Sequence, residues 1–431
     1  MLKVATYKIF KVLSPFKRYF HDIIVVFSGT AFAEIIPICI APLLTRIYTP
    51  EDFGHFGFVT AFSSLLAQFS TLRYENSIII SHNPEETFRA GKLCQYLTII
   101  IHLLFIIIMI GVYSIGGVFP EKYNWVNWFL FTPIVSFSSV LFRIQILLNN
   151  REERFKVISK VKISQGLSIA FLSIIFGMSG YVNNGLIWSL ILSNFGGAFL
   201  LSHKKTNSPV IKIKDLKEIA KRYNNFPYYA LPGELINNVT SQYPLMVFPF
   251  LFGSEITGYL TLAYRVVAMP LRFIITAVGE VFFQRASKEM RDKNNCRHLF
   301  MLTSGILLTI SLISFGILYV LSDHIFEIFF GERWKSTGEY VKFLIPLFVI
   351  SSVVSPLSSM IYVAEKQNWH LYWSIGTLFL MTISSLGSYT FFGNVEMVFL
   401  FFVIANSIAY FVYFLILFIL TKGTLNEPKR R

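Results

Sequence analysis

LFMLTSGILLTISLISFGILYVL, residues 299–321, carries no charged side chain over 23 positions. At 1.5 Å per residue a helix of that length extends about 35 Å, enough to cross a hydrocarbon core of about 30 Å. The apolarity is continuous rather than alternating, which specifies a helix and not a barrel strand. Similar runs occur at 23–46, 55–80, 93–118, 126–149, 163–180, 183–203, 226–251, 256–283, 342–364, 369–392 and 396–421. The chain therefore reads as an all-α integral membrane protein with about 12 transmembrane helices.

Composition agrees. Of 431 residues, 54% are apolar, 17% aromatic and 14% charged, with a mean hydropathy of +0.58; a soluble domain carries about 25% charge. Cys39, Cys94 and Cys296 have neither a disulfide pattern nor metal-ligand spacing. A net charge of +14 invites a nucleic-acid reading, but its distribution argues otherwise. Loops on one side hold 29 Lys and Arg; those on the other hold five, Arg46, Lys122, Arg333, Lys335 and Lys342. The positive-inside rule then places both termini in the cytoplasm and accounts for the basic excess without nucleic acid.

The expected organisation is a basic amphipathic segment (1–22), a six-helix bundle (23–203), a basic linker (204–225), a second six-helix bundle (226–421) and a basic tail (422–431). Ile9, Leu13, Phe16 and Phe20 recur at helical spacing in the first segment, suiting a helix lying on the inner leaflet. Two short matches suggest duplication about an axis along the membrane normal: Glu51-x-x-Gly54 with Glu255-x-x-Gly258, and Thr71-x-x-x-Glu75 with Thr276-x-x-x-Glu280.

Charges within spans cost about 2.5–3.5 kcal/mol each near the bilayer centre and usually face a cavity or a partner. Those found are Arg73, Arg143, Arg265 and Arg272, with Glu34, Glu75, Glu234 and Glu280. Arg265 and Arg272 are one heptad apart, so a continuous helix presents both on one face at successive depths. Each offers a planar fork of donors matched to phosphate oxygens, and salt bridges to Glu34 or Glu234 are the structural alternative. On a continuous helix Arg73 and Glu75 point about 200° apart, so both cannot face one lumen. The candidate cavity residues are thus Arg265, Arg272, Glu34, Glu234 and Arg73. Arg143, Glu75 and Glu280 are secondary, and snorkelling to the cytoplasmic interface is the simpler reading of the last two. The first span of each half carries an acid, Glu34 or Glu234, and several prolines (Pro37 and Pro42; Pro227, Pro232, Pro244 and Pro249), as a bendable gating helix would.

No P-loop, H-E-x-x-H or G-x-S-x-G motif occurs, so neither ATP binding nor a catalytic residue is expected. The longest extracytoplasmic segment, 322–341, is short for a membrane glycosyltransferase. Glu51 and Asp52 read as helix-capping residues.

Leu44-Thr-Arg-Ile-Tyr-Thr-Pro-Glu-Asp-Phe-Gly54, Leu72-Arg-Tyr-Glu-Asn-Ser-Ile-Ile79, Ala263-Tyr-Arg-Val-Val-Ala-Met-Pro270, Val281-Phe-Phe-Gln-Arg-Ala286 and Phe330-Gly-Glu-Arg-Trp334 with Gly338-Glu-Tyr340 form an ordered series. The series resembles the Wzx-type O-antigen flippases of the multidrug/oligosaccharidyl-lipid/polysaccharide exporter superfamily. Arg73, Glu75, Arg265 and Glu280 sit with the matching motifs. The resemblance implies two bundles around a cavity, alternating access, and an undecaprenyl-diphosphate-linked oligosaccharide carried between leaflets of the bacterial inner membrane. Membrane lipids, a polysaccharide polymerase and a chain-length regulator are the implied partners. A proton or sodium gradient is the implied energy source, with no cofactor. A drug or cation exporter of the same superfamily, or a polytopic glycosyltransferase or polymerase, is the alternative.

Overall fold

The computed structural model describes residues 35–116, 127–202 and 212–422. The amphipathic segment 1–22, Glu34, Tyr123, Trp125 and the tail beyond Lys422 lie outside the described residues. Among the described residues, seven helices are long and apolar enough to cross a membrane, and two shorter apolar helices join them, α1 (Ile35–Ile47) and α7 (Gly185–Leu201). The architecture is an all-α, multi-span bundle of seven to nine apolar spans around a helix-packed core.

The chain divides into two compact units. One comprises Phe58–Leu235 with the described residues up to Tyr48; the other comprises Thr49–Gly57 with the residues from Ile236 onward. The first holds α1, most of α2 (Pro50–Ser70), α3 (Glu75–Ile80), α4 (Pro84–Gly116), α5 (Thr132–Arg151), α6 (Phe155–Met178), α7 and α8 (Ile213–Arg222). The second holds most of α9 (Leu231–Phe252), α10 (Ser254–Ala263), α11 (Met269–Lys293), α12 (Arg297–Ile325), α13 (Lys335–Leu357), α14 (Met360–Val363), α15 (Gln367–Phe392) and α16 (Val395–Leu420).

Burial is inverted relative to a soluble helix. On α12, Ser304 and Ser311 are buried while Ile306, Ile310, Ile313 and Ile317 are exposed. On α4, Thr98 and His102 face inward and Ile100, Leu103, Leu104 and Ile107 face outward. Lipid solvates the large apolar side chains as well as the interior would, so small and hydroxylated residues take the helix–helix contacts. Ser173 and Ser189 bond at 2.7 Å between α6 and α7, and Ser311 and Ser352 at 2.6 Å between α12 and α13. His102 is one of these packing groups: its Nδ1 meets the Thr98 carbonyl at 2.7 Å and its Nε2 meets Ser136 Oγ at 2.9 Å.

Thr49–Gly57 groups with the second unit because its helix backbone lies directly on α10. A Cβ on Gly54 would sit 1.9 Å from the Ser254 carbonyl oxygen, and one on Gly258 would sit 1.7 Å from that of Pro50. The two glycines matched at an offset of 204 residues thus each press on the residue that opens the other's segment, a reciprocal contact. Phe53 seals it, edge-on to Trp334 at 4.9 Å.

The runs 55–80 and 256–283 are each interrupted. The first breaks after Ser70. The second carries a π-helical turn, Tyr264–Ala268, between α10 and α11. A π turn accommodates an additional residue, and Arg265 lies within it while Arg272 belongs to the α-helix that follows.

Candidate functional site: a carboxylate shared at a helix break

Leu72 and Arg73 adopt left-handed φ angles of 49° and 62°. For residues with a Cβ that conformation costs about 1–2 kcal/mol each. Two backbone bonds close the turn, from the Leu72 N–H to the Phe69 carbonyl at 3.1 Å and from the Tyr74 N–H to the Thr71 carbonyl at 3.0 Å. Packing holds it: Tyr74 and Ile78 are buried with Ala67, Leu93, Val140 and Ile144, and the Tyr74 hydroxyl donates to the Ala220 carbonyl of α8 at 3.1 Å.

The turn brings Arg73 back onto Glu75. Arg73 Nη1 lies 3.1 Å from Glu75 Oε1, and Arg73 Nη2 lies 2.5 Å from Glu234 Oε1. Arg143 Nη1 approaches the same Glu75 oxygen at 3.6 Å. Thr71 donates its hydroxyl to the other Glu75 oxygen. The opposite-face expectation for Arg73 and Glu75 assumed one unbroken helix, and the left-handed turn overturns it.

The cluster is graded in exposure. The Glu75 side chain is 2% exposed and that of Arg73 14%, whereas Glu234 and Arg143 are 42% and 40% exposed. A buried carboxylate is thus shared by two guanidinium groups, and Arg73 extends from it to a half-exposed acid. Arg73 Nε is buried without a hydrogen-bond partner.

Arg265 stands differently. It lies in the π turn with its guanidinium carbon 5.9 Å from the Phe56 ring centre. Its Nη1 is buried and unpartnered, and it forms no ion pair with any described residue. The expected partner Glu234 is engaged by Arg73 instead. A buried guanidinium N–H without an acceptor is costly. Glu280 is exposed on α11. Glu75, its match at an offset of 205 residues, is buried; α2 breaks ahead of it, whereas α11 is continuous. Arg272 belongs to α11. Phe56, the aromatic face beneath Arg265, was missed by the sequence reading, since nothing in a Phe-rich chain marks it.

A family model described as polysaccharide biosynthesis protein matches residues 43–339, well over half of the chain and inclusive of Arg73, Glu75, Arg143, Glu234 and Arg265. The chain belongs to this family. It is a polytopic membrane protein of the multidrug/oligosaccharidyl-lipid/polysaccharide exporter superfamily, of the kind found in the bacterial inner membrane. It is 25% identical over 239 residues to the teichuronic acid biosynthesis protein TuaB of Bacillus subtilis, covering 54% of this chain and 48% of that protein. It is 22% identical over 343 residues to the succinoglycan biosynthesis transport protein ExoT of Rhizobium meliloti, covering 78% and 66%. The matched stretch therefore spans about half of TuaB's length. In fold it is similar to an inward-facing multidrug-resistance MATE transporter, with a TM-score of 0.60 at 14% identity over 90% of this chain and 93% of that one. No group of His, Cys, Asp or Glu among the described residues could hold a metal.

Proposed function

We propose that this family member is a flippase: it moves an undecaprenyl-diphosphate-linked oligosaccharide from the inner to the outer leaflet of the bacterial inner membrane, supplying surface polysaccharide assembly. The observation that carries the reading is Arg265, whose Nη1 is buried without an acceptor and which has no carboxylate partner among the described residues. An anionic cargo suits such a group; a cationic drug would be repelled by it. We assign Arg265, Arg272 and Arg73 to the diphosphate, and Glu34 and Glu234 to the bendable first spans of the two halves. A proton or sodium gradient would supply the energy, and the half-exposed Arg73–Glu234 contact is the one that would open to free a cation for the cargo. A polymerase acting on the delivered repeat unit, and a regulator of chain length, are the partners this role requires.

Arg265→Ala should lower surface-polysaccharide output roughly ten- to a hundredfold in cells dependent on this protein, since a hydrogen bond to a charged group contributes about 1.5–3 kcal/mol. Arg265→Lys keeps the charge without the fork and should retain part of the output. Output and membrane protein level are measured together. Normal output from Arg265→Ala removes the residue from the cargo path.

The proposal includes twelve spans in two halves, 23–203 and 226–421, with the linker 204–225 and both termini in the cytoplasm. Glu332 and Lys217 are exposed and belong to opposite sides on this scheme. In spheroplasts an impermeant thiol reagent should label Glu332→Cys and not Lys217→Cys; the reverse pattern inverts the topology. Exposed Cys39 must first be replaced, whereas Cys94 and Cys296 are buried. Burial pushes the Cys296 thiol up to about 11, so it stays protonated at neutral pH and gives little background.

A further inference from the structure

The first unit carries a second polar recess that shares no residue with the Arg73–Glu75 cluster. It has a volume of about 160 Å³ and is walled by the first turns of α4, the end of α5 with the turn after it, and the end of α7. At roughly 30 Å³ per water, that is space for about five waters.

Its groups are incompletely matched in a specific way. Asn149 is 3% exposed, and its Nδ2 donates to the Gln145 carbonyl at 2.8 Å and the Leu201 carbonyl at 3.0 Å. Those two bonds consume both amide protons and fix the amide's orientation. Asn149 Oδ1, also buried, is left without a donor. Arg154 Nη1 is buried and lacks an acceptor. Lys92, on the same wall, forms no ion pair with a described residue, and its ammonium lies 5.8 Å from the Phe88 ring centre. Glu152 also lines the recess and has a partner of its own. The walling residues thus include two cations without an ion pair among the described residues and one buried carbonyl oxygen without a donor. Leaving such groups unsatisfied is costly.

We propose that this recess binds a phosphate bearing a short hydroxylated substituent. The phosphate oxygens accept from Arg154 and Lys92, and a hydroxyl donates to Asn149 Oδ1. A phosphoglycerol unit has this chemistry and fits the volume; an oligosaccharide does not. The neighbouring segments 81–92 and 150–162 are among the basic loops, so the unit can come from a phosphatidylglycerol headgroup in the adjacent leaflet or from a soluble glycerol phosphate. The site does not depend on the cargo proposed above.

The full-length protein, extracted from vesicles of equal phosphatidylglycerol and phosphatidylcholine, is examined by native mass spectrometry for retained lipid. In parallel it is titrated calorimetrically with glycerol 3-phosphate. Preferential retention of phosphatidylglycerol assigns the leaflet source; binding of glycerol 3-phosphate without lipid preference assigns the soluble one. In either case Lys92→Gln/Arg154→Gln, which breaks no ion pair with a described residue, should weaken binding roughly tenfold or more, and Arg154→Lys should weaken it less. Equal retention of both lipids with no binding of the soluble phosphate, or binding unchanged in the double variant, overturns the proposal.

Discussion

Glu75→Ala should be the most damaging substitution in the charged cluster, lowering stability by about 3–5 kcal/mol. Removing this carboxylate, 2% exposed, strands Arg73 and Arg143 together and leaves the Thr71 hydroxyl without its acceptor. It also removes the attraction that offsets two left-handed residues in the turn. Glu234→Ala should cost about 1 kcal/mol or less, because its partner bond is half-exposed and solvent screens it. Thermal scans of the detergent-solubilised protein, followed by size-exclusion chromatography, measure both. The double variant Glu75→Ala/Arg143→Ala should lose less than the two single variants added together, since neither charge then lacks the other. Equal effects of Glu75→Ala and Glu234→Ala would mean that the cluster does not hold the break.

Gly258→Val should prevent accumulation of folded protein. Even a Cβ at Gly258 would lie 1.7 Å from the Pro50 carbonyl oxygen, which is helix backbone and cannot rotate away. Separating the two segments would also displace Phe53 from Trp334, a ring fully buried at 0% exposure. Overpacking in ordinary cores costs about 1–3 kcal/mol, and a backbone collision exceeds that range. Gly54→Val should behave alike, since it would meet the Ser254 carbonyl oxygen. Gly305→Ala, with nothing within 4 Å of the added carbon, provides the control and should leave accumulation unchanged. Normal accumulation of Gly258→Val would refute the close backbone contact.

The helical membrane class was legible because every span-length apolar run reports the same solvent, and residues 299–321 suffice for it. The glycines of the two E-x-x-G segments were legible as a spaced match, yet their mutual contact was not, because spacing along a chain carries no information about which helices touch. Arg73, Glu75, Arg143 and Glu234 were each identified as costly intramembrane charges. Their assembly was hidden by the break at Thr71–Tyr74, where neither Gly nor Pro marks the turn. Tertiary packing of Tyr74 and Ile78 imposes that conformation against local preference. The π turn at Tyr264–Ala268 escaped for a related reason: an added residue in one turn alters neither composition nor hydropathy.

The central claim is translocation of a diphosphate-linked oligosaccharide, and reconstitution tests it most directly. The purified protein is placed in sealed liposomes containing the undecaprenyl-diphosphate-linked repeat unit, initially on one leaflet. A membrane-impermeant glycosidase or lectin then reports how much sugar reaches the opposite face. The expected result is transfer that requires the protein, forms no new glycosidic bond, falls at least about tenfold in Arg265→Ala and responds to an imposed proton gradient. Transfer no faster than in protein-free liposomes, under either gradient polarity and with folded protein confirmed, would contradict the account.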